Sequence, residues 1–129
     1  MTTPKIPPPC FAFLQSELVE ASGGKAVVLF RPTEQMENPF GIIQGGILAA
    51  MLDNTIGPAL FTVVPDRASS TIQMSINFLR PARAGEVIRG IAEVVKHGQT
   101  QAYIETRLER ATDGAVLTKA TATNVFLRG

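Results

Sequence analysis

The sequence predicts an α+β domain in which one antiparallel sheet curls around a single central helix. Three observations carry this. Residues 47–56 have helical apolar spacing and stand alone near the middle of the chain. Residues 69–81 alternate with period two. Three further strand-like segments follow, set off by turns at Ala84-Gly85, His97-Gly98 and Asp113-Gly114. A chain of 129 residues, 45% of them hydrophobic and 18% charged, suits one compact core and is too apolar for a disordered segment.

Taken in order, residues 1–9 form a Pro-rich N-terminal arm and residues 10–129 a single domain. Proline excludes a helix interior in the arm. Over residues 11–20, Phe11, Leu14, Leu18 and Val19 recur at roughly helical spacing, and part of the stretch is equally compatible with an extended chain. A turn at Ser22-Gly23-Gly24 precedes residues 25–32, whose β-branched centre reads as a strand, giving a first hairpin. A polar loop rich in Pro and Gly, residues 33–46, hands over to the main helix.

On that helix Ile47, Leu48, Met51, Leu52 and Ile56 form one apolar flank. Gly46, Ala49, Ala50, Asp53 and Gly57 fall on another face at i, i+3, i+4, i+7 and i+11. A stripe of small residues lets another backbone come close, so the helix is expected to be packed on nearly all sides, with Asp53 the one charge in the stripe. Gly57-Pro58 should end or kink it. The first strand after the helix sets Ile72, Met74, Ile76 and Phe78 against Gln73, Ser75 and Asn77. Segments 86–98, 99–111 and 114–127 follow as strands, and the four are expected to form a sequential meander.

Composition excludes several function classes. Twelve Lys and Arg against eleven Asp and Glu give a net charge of +1, which offers no field for nucleic acid or an anionic membrane. One cysteine, Cys10, excludes an intrachain disulfide, and with His97 the only histidine no zinc site of clustered Cys and His can form. The start has no charged-then-apolar leader. The longest apolar stretch, residues 42–64, approaches membrane-spanning length, yet Gln44, Asp53, Asn54 and Pro58 interrupt it, so it reads as a buried helix. A reducing, cytoplasmic setting is expected, and no cofactor.

Elimination narrows the chemistry. His97 lies at a predicted hairpin turn and Cys10 beside the Pro-rich arm, and neither has a visible partner for nucleophilic catalysis. Gly45-Gly46 lacks the Lys-Ser/Thr of a phosphate-binding loop. Asp53 remains: a carboxylate on an apolar, small-residue helix face is costly unless paired, hydrogen-bonded or working, so it is either a functional acid or base or a cap on neighbouring backbone. At Gln44-Gly45-Gly46 the free N–H groups of a helix start suit an oxyanion, unless the glycines merely turn the chain. Gly45 and Asp53 lie eight residues apart, about 12 Å along a helix, too far to share one carbonyl. Two copies about a two-fold axis would bring Gly45 of one to Asp53 of the other.

Asn38-Pro39, Gly41, Gln44-Gly45-Gly46 and Leu52-Asp53, with residues 71–85, resemble the signature of hotdog-fold acyl-CoA thioesterases of the phenylacetic acid degradation (PaaI-like) family. The resemblance runs from about residue 10 to the end and implies a hotdog fold. It implies that Asp53 attacks the thioester carbonyl or activates the water that does, and that the Gly45 N–H polarises the carbonyl oxygen. It further implies that Asn38 helps hold the thioester or the water, and that Thr71 positions the nucleophile across the dimer. The family's assembly is a tetramer built from two hotdog dimers, so a homodimer is the minimum expected here and a homotetramer the fuller assembly. The family has histidine where this chain has Gln44, which can hydrogen-bond but not exchange a proton, leaving it a positioning role.

Arg80, Arg83 and Lys96 stand where the family's turns approach CoA, and suit its phosphates if they are not ordinary surface charges. Phe40, Ile43 and Phe61 are candidates to line the acyl pocket, with core packing the more ordinary role for each. The expected activity is hydrolysis of an aromatic or medium-chain acyl-CoA to the free acid and CoA, without metal. A hydratase or dehydratase would need a histidine at the central helix. A non-catalytic acyl-CoA-binding module or sensor is the competing reading, with Gln44 as its cause.

Overall fold

The computed structural model describes residues 5–127, so residues 1–4 of the Pro-rich arm lie outside the described residues. Pro9 opens a short helix, α1 (Pro9–Phe13), at the first helical position, where its missing N–H leaves no bond unmade. The helical spacing over 11–20 survives only in that turn. The chain reverses at Gln15, with φ 54, and continues as β1 (Ser16–Ser22). A positive φ at both Gly23 and Gly24 turns β1 into β2 (Lys25–Phe30), closing the expected hairpin.

After a 3-10 turn at Glu34–Met36, α2 (Gly45–Phe61) runs for 17 residues through the hollow of the sheet. Leu48, Met51, Leu52, Thr55, Ile56, Ala59 and Leu60 are its buried face. Pro58 does not end it. The proline lacks only the N–H that would bond the Asn54 carbonyl, and the last turn is held because Ala59 and Leu60 pack with Ile104, Ala122 and Phe126. The small-residue stripe differs from expectation too. Gly46, Asp53 and Gly57 are exposed and Ala49 and Ala50 half-buried, so the sheet covers one side of the helix and leaves the stripe open.

The remaining strands are β3 (Ser69–Phe78), β4 (Ile88–His97), β5 (Gln101–Arg110) and β6 (Val116–Phe126), all antiparallel in the order β1-β2-β4-β5-β6-β3. The sequential four-strand meander is therefore corrected. Strands β4, β5 and β6 are joined in sequence, but β3 pairs with β6, and the chain after it crosses to β4, which lies beside β2. Buried Ala82 anchors that crossing through its carbonyl, which accepts the Ile43 N–H at 2.8 Å just before α2. The alternation in β3 is also interrupted. Its register slips between Thr71 and Gln73, leaving Ile72 about half exposed; Met74 and Ile76 reach the core, and Phe78 at the strand's end is about half exposed.

Close approach of α2 to the sheet depends on one glycine. A Cβ at Gly90 on β4 would lie 2.6 Å from Thr55 Oγ1 and 2.9 Å from the Phe30 ring. Among the described residues no helix is long and apolar enough to cross a membrane, and the 42–64 stretch contains the core helix.

Candidate active site

Polar chemistry gathers at two separate ends of β3. At one end α2 begins. Gln44 is its N-cap, with φ −61 and ψ 140 and no side-chain cap bond, so the N–H groups of Gly45 and Gly46 open the helix without an internal acceptor. The Gly45 backbone lies against Phe78, where an added Cβ would sit 3.5 Å from the ring. Gly45, Asn38, Ile43, Phe78 and Arg80 line a cleft of about 380 Å³. Asn38 builds the loop that walls it: its Oδ1 accepts the N–H groups of Phe40 at 2.9 Å and Ile42 at 3.3 Å. Only its Nδ2 is left to face a substrate. Arg80 donates from Nη1 to the Val116 carbonyl at 2.7 Å, which braces the guanidinium beside the cleft.

At the other end, Thr71 Oγ1 donates to Asp53 Oδ1 at 2.6 Å. This is the length of a hydrogen bond to an ionised acceptor. The contact lies within one chain: strand β3 carries Thr71 to the Asp53 turn of its own α2. Asp53 is exposed, not buried, because the stripe it belongs to is open. Burial therefore does not explain its presence on this face, and the hydrogen bond to Thr71 sets its orientation instead.

The cross-strand register measures the separation. Phe78 is level with Thr118 and Leu108, whereas Thr71 is level with Asn124, Ala102 and His97. Seven residues of strand are about 20 Å. A single chain thus holds Gly45 and Asp53 apart, as their eight-residue spacing on α2 also requires.

Other expected residues are dispersed. Arg83 is exposed in the turn after Arg80, its backbone N–H donating to Glu86 Oε1 at 2.6 Å. Lys96 pairs with Tyr103, whose neighbours Ala102 and Ile104 point into the core, so Lys96 lies on the face of the sheet away from α2 and is not brought to the cleft. His97 is exposed at the end of β4 and Cys10 is an exposed free thiol in α1. Core packing is overturned for Phe40, 87% exposed, and Phe61, 62% exposed, and holds for Ile43. The loop projects Phe40 outward, while Phe61 closes α2 beside an apolar groove of about 620 Å³ that it lines with Ile6, Phe11 and Gly57. Gly57 is one helical turn from Asp53.

One residue escaped the sequence reading. Asn124 is buried on β6 and opposite Thr71 in register, with its Oδ1 3.3 Å from Thr71 Oγ1 and its Nδ2 3.3 Å from Ser69 Oγ. The signal was present, since an amide continuing the inward row of Ala120, Ala122 and Phe126 is the odd member of an apolar face.

Comparison with known proteins adds the family. The sequence model of the thioesterase superfamily matches residues 40–117. Human acyl-coenzyme A thioesterase 13 is 30% identical over 100 residues, 78% of this chain and 71% of that protein. A Caenorhabditis elegans protein provisionally named an esterase is 28% identical over 109 residues; the match spans 84% of this chain but only 64% of that protein's length. A solved Ralstonia eutropha structure, described as a thioesterase related to phenylacetic acid degradation, is 31% identical with a TM-score of 0.84, covering 92% of this chain and 91% of that one. A Streptococcus pneumoniae thioesterase solved with coenzyme A has the same fold, with TM-score 0.81, 24% identity, and 87% and 85% of the two chains covered.

Proposed function

We propose that this chain, which belongs to the thioesterase superfamily, is an acyl-CoA thioesterase whose sites are each shared between two copies. The observation that carries the reading is the 2.6 Å bond from Thr71 to Asp53, at the opposite end of β3 from the Gly45 cleft. With residue 72 set aside by the register slip, antiparallel pairing of two β3 edges about Ser75 would set Thr71 of one chain opposite Phe78 of the other. Gly45 of one subunit then meets Asp53 of its partner.

In that site the thioester oxygen accepts the Gly45 N–H, which stabilises the developing oxyanion. Asp53 of the facing subunit either takes the proton of a water attacking the carbonyl carbon or attacks it directly, forming an anhydride that water then opens. In both routes the C–S bond breaks, the thiolate leaves on CoA, and the acid is released. Thr71 holds the carboxylate. Asn38 Nδ2 and the Gln44 side chain position the thioester or the water, Gln44 doing so without proton exchange. Arg80 and Arg83 stand on the CoA side, where guanidinium groups match phosphates. The groove beside Gly57 and Phe61 takes an aromatic or medium-length acyl group. Two such dimers would form the tetramer that the family resemblance implies.

A non-catalytic acyl-CoA-binding module has one observation in its favour, Gln44 in place of a histidine. Release of CoA from a panel of aliphatic and aromatic acyl-CoA thioesters separates the readings. Asp53→Asn, which keeps the shape and removes the base, is expected to lower kcat by about 10²–10⁴-fold. Binding by the native chain without turnover would overturn hydrolysis and leave the binding module.

A further inference from the structure

The bonds around Asp53 cannot all point as their distances first suggest. Thr71 has one hydroxyl proton and two acceptor atoms beside it, Asp53 Oδ1 at 2.6 Å and Asn124 Oδ1 at 3.3 Å. The proton goes to the nearer, charged acceptor. That would leave the buried Asn124 carbonyl facing the Thr71 lone pairs. Turning the amide by half a turn exchanges its two ends in nearly the same positions and removes the conflict. Nδ2 then donates to Thr71 Oγ1, and Oδ1 accepts from Ser69 Oγ, also 3.3 Å away.

We infer that Asn124 is a positioning residue for Asp53, donating to Thr71 Oγ1 so that the Thr71 hydroxyl keeps its only proton on the carboxylate. The line runs Ser69 to Asn124 to Thr71 to Asp53, every member donating toward the carboxylate. Asn124 supplies what Thr71 lacks. It is buried on β6, a strand paired on both sides within the chain, whereas β3 is the chain's edge strand and has a register slip next to Thr71. The inference rests on the proposed role of Asp53 in hydrolysis.

Two replacements of similar size test it. Asn124→Leu removes the donor that fixes the Thr71 lone pairs, so the hydroxyl is free to rotate off Asp53 and kcat should fall about tenfold. Asn124→Asp has no donor when ionised and competes for the Thr71 proton, so kcat should fall further. KM, and the affinity for a non-hydrolysable acyl-CoA thioether, should stay within twofold, because neither residue touches substrate. In a Thr71→Val background Asn124→Leu should cost less than twofold in kcat, which a general packing defect would not produce. Native kcat in Asn124→Asp would overturn the inference, since an acceptor would then suffice at this position. So would full additivity of Asn124→Leu with Thr71→Val. If Asn124→Leu does not fold, Asn124→Asp still decides. Native turnover that Asp53→Asn abolishes, beside unchanged kcat in the Asn124 variants, removes only the positioning role; absence of native turnover removes both readings.

Discussion

Sharing of a site between subunits predicts complementation between two inactive variants. Gly45→Pro deletes the oxyanion donor and fits the backbone. Gln44 already has the extended conformation, φ −61 and ψ 140, that a following proline demands, and proline is favoured at the first helical position. A Cβ at residue 45 makes only ordinary contact with Phe78 at 3.5 Å. The variant should fold and lose about 10²–10³-fold in kcat. Asp53→Asn is inactive through the other half-site. Unfolding the two together in equal amounts and refolding them gives about half mixed dimers, each with one site carrying both defects and one carrying neither, so about a quarter of native activity should return. The assay is CoA release with a thiol reagent, blanked for the exposed Cys10 thiol of each chain. Mixed dimers that form, by native mass, yet recover nothing would refute the shared site.

Three further outcomes follow from the geometry. Gly90→Ala should cost about 3 kcal/mol in denaturant unfolding, because its Cβ would meet buried Thr55 and Phe30, and Thr55→Ala in the same chain should recover part of that loss. Arg80→Gln should raise KM for acyl-CoA about tenfold with kcat held, and leave hydrolysis of a truncated thioester lacking the CoA phosphates unchanged. Glu109, whose carboxyl is held below its usual value of 4.5 chiefly by the hydrogen bond from Arg107, contributes stability that is present above that value and fades as the pH falls below it. Acid unfolding of Glu109→Gln should therefore depend less steeply on pH in that range, and an unchanged slope would remove the pair's contribution.

Much of the fold was legible because hydrophobic period is a local signal. The helix after residue 44 and the strands at 69–78 and beyond all follow from spacing. What spacing cannot carry is partner choice. Strand β3 lies beside β6 rather than β4, and the Ala82 to Ile43 bond that anchors the crossing links residues with no common pattern. Pro58 misled for a related reason: burial of Ala59 and Leu60 outweighs one missing hydrogen bond. At the candidate site the sequence offered Asp53 and the glycine pair, but on the argument that Asp53 was buried. In the chain alone it is exposed, and the Thr71 bond, 18 residues away in sequence, is the fact that marks it.

The two edges of the sheet support the shared site independently of any catalytic residue. An edge strand exposes unpaired N–H and C=O groups and invites another strand, and proteins suppress this with charges, proline or bulges. Strand β1, at one edge, has those defences: Glu17 and Glu20 lie on it, and its register slips between Leu18 and Glu20. Strand β3, at the other edge, is ten residues long and contains no charge and no proline. Its slip is confined to the Thr71 end, leaving the stretch from Gln73 to Phe78 regular, with Ile72 and Phe78 half exposed beside the open stripe of α2. An undefended edge of that length is an aggregation hazard unless it is paired. Pairing it antiparallel with its own copy covers it and, in the same step, brings the Thr71 end of one chain to the Gly45 end of the other. The feature that would endanger the chain alone is then the one that assembles the proposed site.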